Sequence, residues 1–232
     1  MSSFTRPDTR RLFHVKHDLS APAAARIVFG DRVDLAERYV QHLATTGVEW
    51  GLLGPREVPR LWERHVLNCA VVADLVPQGS FFADVGSGAG LPGIAVAVAR
   101  PDVQVVLIEP LLRRVQWLEL VISDLGLSQV QVRRARAEDL VGDLVVPVVT
   151  ARAVAPLDRL ARWGLPLLSP GGQMLAIKGR TAATEIEQTR EGVRRAGGVS
   201  SEIVMVGHAV LPEGVTVVRV RIGEGGRRRS RS

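Results

Sequence analysis

A glycine-rich stretch preceded by an acidic residue is the part of the sequence whose residue types point most directly to chemistry. The stretch reads FFADVGSGAGLPGIAV and covers residues 81–96. From Gly88 onward it has the spacing G-x-G-x-x-G of dinucleotide-binding loops, whereas from Asp84 onward it has the spacing D-x-G-x-G-x-G, with Gly86 as the first glycine. The first spacing indicates hydride transfer with a dinucleotide, and the second indicates methyl transfer with S-adenosylmethionine.

The position of Asp84 favours the second interpretation. Asp84 ends an apolar run that predicts a buried strand, so we expect its carboxylate to point towards the ligand. A half-buried carboxylate is costly beside a pyrophosphate but favourable beside the sulfonium and ammonium groups of S-adenosylmethionine. Pro92 also removes one N–H donor from the start of the following helix, which is a small loss where no phosphate binds. A dinucleotide-dependent oxidoreductase remains a distant alternative.

A second acidic residue, Glu109, stands at the end of the next apolar run, VQVVLIE. In a βαβ unit an acid at this position accepts hydrogen bonds from the hydroxyl groups of a ribose. A structural turn followed by a solvated glutamate would give the same pattern, but the loop and the acid together favour a nucleoside-type ligand. The sequence therefore predicts S-adenosylmethionine as the cofactor, with Asp84, Gly86, Gly88 and Glu109 at its site.

The composition limits the class of protein. The chain has 232 residues, of which 46% are hydrophobic, and Cys69 is its single cysteine, so a disulfide within the chain and a zinc site built on cysteines are excluded. We find no signal peptide and no apolar run of about 18 residues, and we expect a cytoplasmic protein with no membrane segment and no metal. The net charge of +6 is compatible with a nucleic-acid partner. The basic residues are almost all arginines, however, and such a skew more often reflects coding bias than selection for a binding surface.

Hydrophobic periodicity divides the chain into four parts. Residues 1–20 are polar and basic and predict a flexible arm, and residues 223–232 form a low-complexity basic tail that we expect to be disordered. Residues 21–77 carry helical spacing, including a predicted helix from Glu57 to Val76. Residues 78–222 are predicted to form the catalytic domain.

Apolar runs alternate with helical patterns in this last part, which predicts βαβ units around a buried parallel sheet, a Rossmann-like α/β fold. The final two runs, SEIVMVGHAVL and GVTVVRVRI, have only Pro212, Glu213 and Gly214 around their junction. Because no helix fits between them, they are expected to pair as an antiparallel hairpin.

The order of motifs resembles one known family, the bacterial 16S ribosomal RNA guanine-N7 methyltransferases, called RsmG or GidB. The matching motifs are D-V-G-S-G-A-G-L-P-G, L-I-E-P-L-L-R-R-V, R-A-E-D, T-A-R-A and A-I-K-G, preceded by R-H-V-L-N at residues 64–68. The resemblance spans about residues 33–222 and is strongest to the actinobacterial pattern G-P-R-E-V-x-R-L-W-x-R-H. Asn68 stands where the family commonly has an aspartate, so no role built on that acid is expected here.

The resemblance implies a class I methyltransferase with a seven-stranded sheet, acting on N7 of a specific guanine in 16S ribosomal RNA. It implies that Gly86 and Leu91 contact S-adenosylmethionine, that Ala137 and Glu138 flank its adenine, and that Arg152 lies at the cofactor and the target base. The substrate implied is 16S ribosomal RNA, free or within the small ribosomal subunit.

The sequence lacks the motifs that other methyltransferases use to activate their acceptor atom, which favours an acceptor that is already nucleophilic. The segment after the predicted fourth strand reads T-A-R-A-V-A-P-L, not the N-P-P-Y type of enzymes that methylate exocyclic amines, and Cys69 has the pattern of a small core residue. Guanine N7 has a free lone pair, so catalysis reduces to positioning. We expect Arg152 and Lys178 to act at the catalytic site. Arg152 would touch guanine O6, a phosphate or the cofactor, and Lys178 would contact a phosphate or base of the RNA.

Basic residues near the predicted strand ends are candidates for RNA binding. We assign this role to Arg64, His65, Arg113, Arg114 and Lys178. The alternative for His65 is a half-buried structural histidine, and the alternative for Lys178 is a solvated lysine. The chain is expected to be a monomer. A methyltransferase of the same fold with a protein or small-molecule acceptor is the alternative function, followed by a non-catalytic binder of RNA or membrane surfaces.

Overall fold

The computed structural model of the chain describes residues 18–152 and 155–225, and a seven-stranded sheet forms its centre. Most of the predicted basic arm and tail lie outside the described residues. The strands are β1 (Phe81–Val85), β2 (Gln104–Ile108), β3 (Val130–Arg133), β4 (Val146–Arg152), β5 (Leu168–Ile177), β6 (Gly198–Val206) and β7 (Val215–Ile222).

The strands lie in the order β3-β2-β1-β4-β5-β7-β6. The first five in this order are parallel to one another, whereas β7 is antiparallel to both β5 and β6. The predicted α/β fold, with a mostly parallel sheet and an antiparallel C-terminal hairpin, is therefore confirmed.

The hairpin has a longer connection than the sequence pattern predicted. The pattern extended the first strand of the hairpin to Leu211, but β6 ends at Val206. Gly207 follows with a left-handed φ of 77°, and a Cβ there would lie 2.9 Å from Cγ2 of Val71. The chain leaves the sheet at this close contact, and residues 207–214 form the connection to β7.

Helices cover both faces of the sheet. The N-terminal part contributes α1 (Ala23–Phe29), α2 (Val33–Ala44), α3 (Thr46–Glu49) and α4 (Asn68–Ala70). The other α-helices of the described residues are α5 (Gly93–Ala99), α6 (Leu112–Leu125), α7 (Leu157–Gly164) and α8 (Ala182–Arg195). No helix in the described part of the chain is long and apolar enough to cross a membrane.

The predicted helix from Glu57 to Val76 is helical but irregular. It begins as a 3₁₀ helix at Pro55–Arg60, continues as a π-helix at Leu61–Leu67, passes through α4 and ends as a second 3₁₀ helix at Val71–Leu75. Pro59 lies inside the first 3₁₀ helix, where a regular α-helix would lose a backbone hydrogen bond. π-Helical segments occur often at functional sites.

The core is divided by the sheet into two layers. Phe82 and Ala83 are neighbours in β1, and both are wholly buried, Phe82 against the N-terminal helices and Ala83 on the side of α7 and α8. Strands buried on both faces explain the near-continuous apolar runs in the sequence. The N-terminal helices share one apolar cluster with the sheet, and the boundary at residue 78 stays a prediction.

Candidate active site

A cleft opens at the carboxyl ends of β1, β2 and β3, the edge at which parallel sheets bind ligands. Its volume is about 580 Å³, within the range of small-molecule sites. It is lined by Val85, Gly86, Ile108, Glu109, Pro110, Leu111, Arg114, Ala135, Arg136, Ala137, Glu138 and Trp163. Four of the residues predicted to bind the cofactor are thus brought together: Gly86, Glu109, Ala137 and Glu138.

Glu109 is the buried acid of this cleft. Its Oε2 accepts a hydrogen bond of 3.1 Å from the backbone N–H of Gly88, and its Oε1 accepts one of 3.0 Å from that of Leu111. The guanidinium of Arg114 lies 3.5 Å from Oε2. Each carboxylate oxygen has two lone pairs, so Oε1, which accepts from the N–H of Leu111, can accept a second hydrogen bond.

The glycine loop leaves β1 through Gly86, whose φ of 71° is left-handed. The N–H groups of Gly86 and Ser87 both donate to the carbonyl of Ile108, at 2.9 and 3.2 Å, which ties the loop to the end of β2. Gly88 is not among the residues lining the cleft, although its N–H donates to Glu109. Leu91 is buried in the apolar core, so the loop turns its side chain inward, away from the cleft.

Asp84 lies beneath the loop and does not line the cleft. This differs from the sequence-based expectation that its carboxylate points towards the ligand. It is wholly buried, and its Oδ1 accepts a hydrogen bond of 3.0 Å from Thr150 while its Oδ2 accepts one of 3.1 Å from the N–H of Gly93. Burial raises the pKa of Asp84 to about 6, although both hydrogen bonds lower it. A Cβ on Gly93 would lie 2.9 Å from Oδ2, so only glycine fits this approach.

Arg152 ends β4 and is half-buried, but it is not among the residues lining the cleft. Its side chain points instead at the irregular helical segment of the N-terminal part. Nη1 donates to Sγ of Cys69 at 3.3 Å, and Nη2 donates to the carbonyl of Arg64 at 3.1 Å and to Nδ1 of His65 at 2.8 Å. All three acceptors therefore come from residues 64–69.

His65 is buried, so its predicted direct contact with RNA is not supported by its surroundings. One ring nitrogen faces Arg152, and Nε2 lies 2.7 Å from Oε2 of Glu57. Burial is the largest cause that lowers the pKa of His65, and Arg152 lowers it further, whereas the hydrogen bond to Glu57 raises it. Cys69 is also buried, and its pKa is raised by burial to about 11.

Lys178 is not a solvated side chain, and its predicted contact with RNA is not supported either. Its Nζ lies 2.8 Å from Oε1 of Glu185 and donates at 3.0 Å to the carbonyl of Ala155, and its side chain is only 9% exposed. The same Oε1 accepts a hydrogen bond of 2.7 Å from the N–H of Leu157. Lys178 and Glu185 thus fasten Ala155 and the start of α7 to the end of β5.

The predicted RNA-binding arginines are solvent-accessible. The Arg64 side chain is 56% exposed and lies 3.7 Å from Glu57, and Arg113 is exposed next to Gly51. Arg114 is partly exposed and lines the cleft beside Glu109. Arg114 is therefore placed for a phosphate contact at the cleft, whereas Arg64 and Arg113 are exposed but do not line it.

Sequence reasoning missed several residues of the site. Thr150 supports Asp84, the hydroxyl of Tyr39 donates at 2.6 Å to the carbonyl of Ala89 in the glycine loop, and Trp163 forms one wall of the cleft. Thr150 carried a signal, because a polar residue inside the apolar run VVPVVTA must find a partner when buried. Tyr39 and Trp163 fit ordinary helical periodicity and gave none.

No group of three or more His, Cys, Asp or Glu residues that could hold a metal ion occurs within 18–152 and 155–225.

The fold, with its cleft at the carboxyl ends of the strands, is that of class I S-adenosylmethionine-dependent methyltransferases. A Methanococcus maripaludis protein assigned to this class superposes with a TM-score of 0.57 at 12% identity, covering 79% of this chain and 92% of the other. The M. jannaschii TYW2 protein in complex with AdoMet gives a TM-score of 0.52 at 18% identity, covering 69% and 76% of the two chains. At such identities the likeness shows the fold alone.

The sequence comparisons place the chain more narrowly. The model of the family GidB, rRNA small subunit methyltransferase G, matches residues 32–211. The protein named ribosomal RNA small subunit methyltransferase G of Pseudarthrobacter chlorophenolicus is 57% identical over 87% of this chain and 93% of its own. The protein of the same name from Streptomyces avermitilis is 55% identical over 88% of this chain and 86% of its own. The chain belongs to the rRNA small subunit methyltransferase G family.

Family membership and fold confirm the central predictions from the sequence. The resemblance to this family, the α/β methyltransferase fold, the enzyme class and the use of S-adenosylmethionine are as expected. The roles of individual residues stay predictions.

Proposed function

We propose that this enzyme methylates N7 of a guanine in 16S ribosomal RNA of the small ribosomal subunit. The observation that carries the proposal is the match of residues 32–211 to the family, combined with a cleft of nucleoside size that contains a buried acid at the end of β2. S-adenosylmethionine, when bound, supplies an electrophilic methyl group on a sulfonium. The chain's own residues bind, orient and shield the reactants.

The residues of the cleft fit this cofactor. The free acceptor capacity of Glu109 suits ribose hydroxyls, and the wall formed by Pro110, Ala137 and Trp163 is apolar, which suits a flat adenine ring. The backbone of Gly86 reaches the cleft directly, and Glu138 lies at its rim. Gly88, Leu91 and Asp84 would act indirectly, by shaping the loop that carries Gly86.

The hydrogen bonds beneath the loop also weaken the dinucleotide alternative. The first N–H of α5, that of Gly93, is already bonded to the carboxylate of Asp84. A pyrophosphate at this helix start would meet a carboxylate instead of free N–H groups. The occupied N–H therefore supports a cofactor without phosphate.

The side chains around Arg152 favour an acceptor atom that needs no deprotonation. Cys69 is buried with a raised pKa, which makes it a poor nucleophile, and both nitrogens of His65 have partners. Guanine N7 carries a free lone pair and requires neither group. Arg152 would then act by position and charge, at guanine O6, a phosphate or the cofactor.

We infer that the RNA is held at the rim of the cleft. Arg114 and Arg136 line the cleft, Arg113 is exposed next to Arg114, and the Arg64 side chain is exposed but does not line the cleft. The enzyme would act in the cytoplasm as a monomer. Its net charge of +6 would favour binding to the ribosomal RNA, and contacts with phosphates would make this binding weaker as the salt concentration increases.

The class of acceptor can be tested with a labelled methyl group. We would incubate the enzyme with methyl-labelled S-adenosylmethionine and small ribosomal subunits from cells that lack the modification, and then divide the product between ribonuclease and protease treatment. The proposal predicts label that ribonuclease releases and protease does not. Label that survives ribonuclease would favour the alternative, a protein or small-molecule acceptor.

A further inference from the structure

We propose that His65 is a positioning residue that holds the guanidinium of Arg152 for methyl transfer, and that Glu57 fixes the ring of His65 in the tautomer that makes this possible. The inference rests on the proposed function insofar as Arg152 is assigned to the catalytic site. It replaces the sequence-based assignment of His65 to RNA binding.

The hydrogen bonds determine which ring nitrogen carries the proton. A guanidinium can only donate, so Nδ1 of His65, at 2.8 Å from Nη2 of Arg152, must be the unprotonated acceptor. The proton of a neutral ring then lies on Nε2, which donates over 2.7 Å to the carboxylate of Glu57. Glu57, His65 and Arg152 therefore form a chain of two hydrogen bonds, and a single neutral tautomer of the His65 ring satisfies both.

The local backbone explains why these residues meet. The π-helix Leu61–Leu67 carries both the carbonyl of Arg64 and the ring of His65 to the same side, and Cys69 follows on α4. These acceptors surround the guanidinium of Arg152 and would hold it in one orientation. The R-H motif at residues 64 and 65 would thus orient Arg152, with the backbone carbonyl of Arg64 and Nδ1 of His65 as hydrogen-bond acceptors.

Protonation of His65 would break this arrangement. Nδ1 would then carry an N–H that faces the N–H donor of Nη2 of Arg152, and the 2.8 Å between the two nitrogens would no longer hold a hydrogen bond. The charged groups around the ring are Glu57 and Arg64 on the N-terminal segment and Arg152 on β4. Around Arg152 the titratable groups are Cys69, Tyr39 on α2 and Asp84 on β1. Burial and Arg152 keep the pKa of His65 low, so the ring is neutral at physiological pH.

The tautomer can be measured without any substrate. Long-range proton–nitrogen NMR spectra of the ¹⁵N-labelled full chain, with His65→Asn for assignment, report which ring nitrogen is protonated. We expect the Nε2–H form with a pKa below the ordinary value of about 6.5, and a higher pKa in Arg152→Met. An Nδ1–H tautomer, or a pKa that Arg152→Met leaves unchanged, would overturn the inference.

Kinetics test the consequence for methyl transfer. We expect His65→Leu to lower kcat for RNA methylation by about 10- to 100-fold with little change in KM, because Arg152 loses a charge-assisted hydrogen bond. His65→Asn offers an oxygen near the place of Nδ1 and should recover most of this loss, and its kcat should no longer follow the titration of His65. Melting curves and S-adenosylhomocysteine affinity establish that both variants are folded.

His42→Asn is the matched control, because His42 also bonds a carboxylate, that of Asp124 at 2.9 Å, on the exposed side of α2. It should leave kcat unchanged. A folded His65→Leu that keeps the wild-type kcat contradicts the inference, as does a variant whose only defect is a salt-dependent increase of KM for RNA. If the wild-type enzyme failed to methylate guanine N7, the proposed function would fail, while the NMR result would still decide the role of His65.

Discussion

The N–H of Gly93, the first residue of α5, donates a hydrogen bond of 3.1 Å to Oδ2 of the buried Asp84. The acid at the end of β1 therefore fastens the start of the helix and shapes the glycine loop from below. A direct contact between Asp84 and the ligand would require the loop to move. The pair also links the cofactor site to the pH dependence of stability.

Asp84 should make the folded state less stable as pH rises. Its pKa is about 6 in the folded chain and 3.8 when unperturbed, so the folded state binds more protons between these values. The free energy of unfolding should then fall by up to about 3 kcal/mol from pH 4 to pH 6 and stay level above. Urea unfolding of wild type and Asp84→Asn at several pH values measures this contribution as a difference.

Thr150→Val is a useful companion to that experiment. The hydroxyl of Thr150 lowers the pKa of Asp84, so its removal should extend the loss of stability to higher pH. If Asp84→Asn had the wild-type pH dependence, Asp84 would not be the buried titrating group we describe.

Glu109→Ala should weaken binding of S-adenosylhomocysteine by about 1–3 kcal/mol, because ribose hydroxyls would lose their acceptor. Isothermal titration calorimetry measures the change. Glu119→Ala, on the exposed side of α6, is the control and should bind like wild type. Equal affinities for the two variants would mean that the cofactor does not use Glu109.

Trp163 should report cofactor binding by fluorescence. The indole lies half-buried in the wall of the cleft, so S-adenosylhomocysteine should change its emission. The change should be absent in Trp163→Phe, while the ring of Phe keeps most of the apolar wall. A signal of full size in Trp163→Phe would place the cofactor away from this wall.

Lys178→Met should destabilise the fold, because it leaves Glu185 half-buried without its cation. We expect a loss of about 2 kcal/mol, less than for a fully buried pair because the Glu185 side chain is 21% exposed. Urea unfolding measures it. Arg180→Met is the control, since the Arg180 side chain is 93% exposed and its distance to Glu213 is 3.7 Å. Unchanged stability in Lys178→Met would contradict the structural role that its contacts with Glu185 and Ala155 indicate.

The fold could be predicted from the sequence because its pattern is repetitive. Strands buried on both faces give apolar runs, and the runs FFADV, VQVVLIE and VQVRRA match β1, β2 and β3 within one or two residues. Glu109 lies in the cleft because its position follows from the βαβ geometry itself, and its contact with the cofactor stays a prediction.

The partners of individual side chains could not be predicted in this way. Asp84, His65 and Lys178 were each expected to face a ligand, yet each has a protein partner that is distant in sequence or lies on another element. A buried polar residue gives the same sequence pattern whether it bonds a ligand or the protein. The π-helical turn that aims His65 at Arg152 also has no simple periodic signature.

The chemical identity of the product tests the account most directly. Small ribosomal subunits that lack the modification would be incubated with enzyme and S-adenosylmethionine, and their RNA digested to nucleosides for mass spectrometry. We predict one new 7-methylguanosine in 16S ribosomal RNA with wild-type enzyme, and a strongly reduced yield with folded Arg152→Ala. Methylation at any other atom, or a full yield of 7-methylguanosine with Arg152→Ala, would contradict the account.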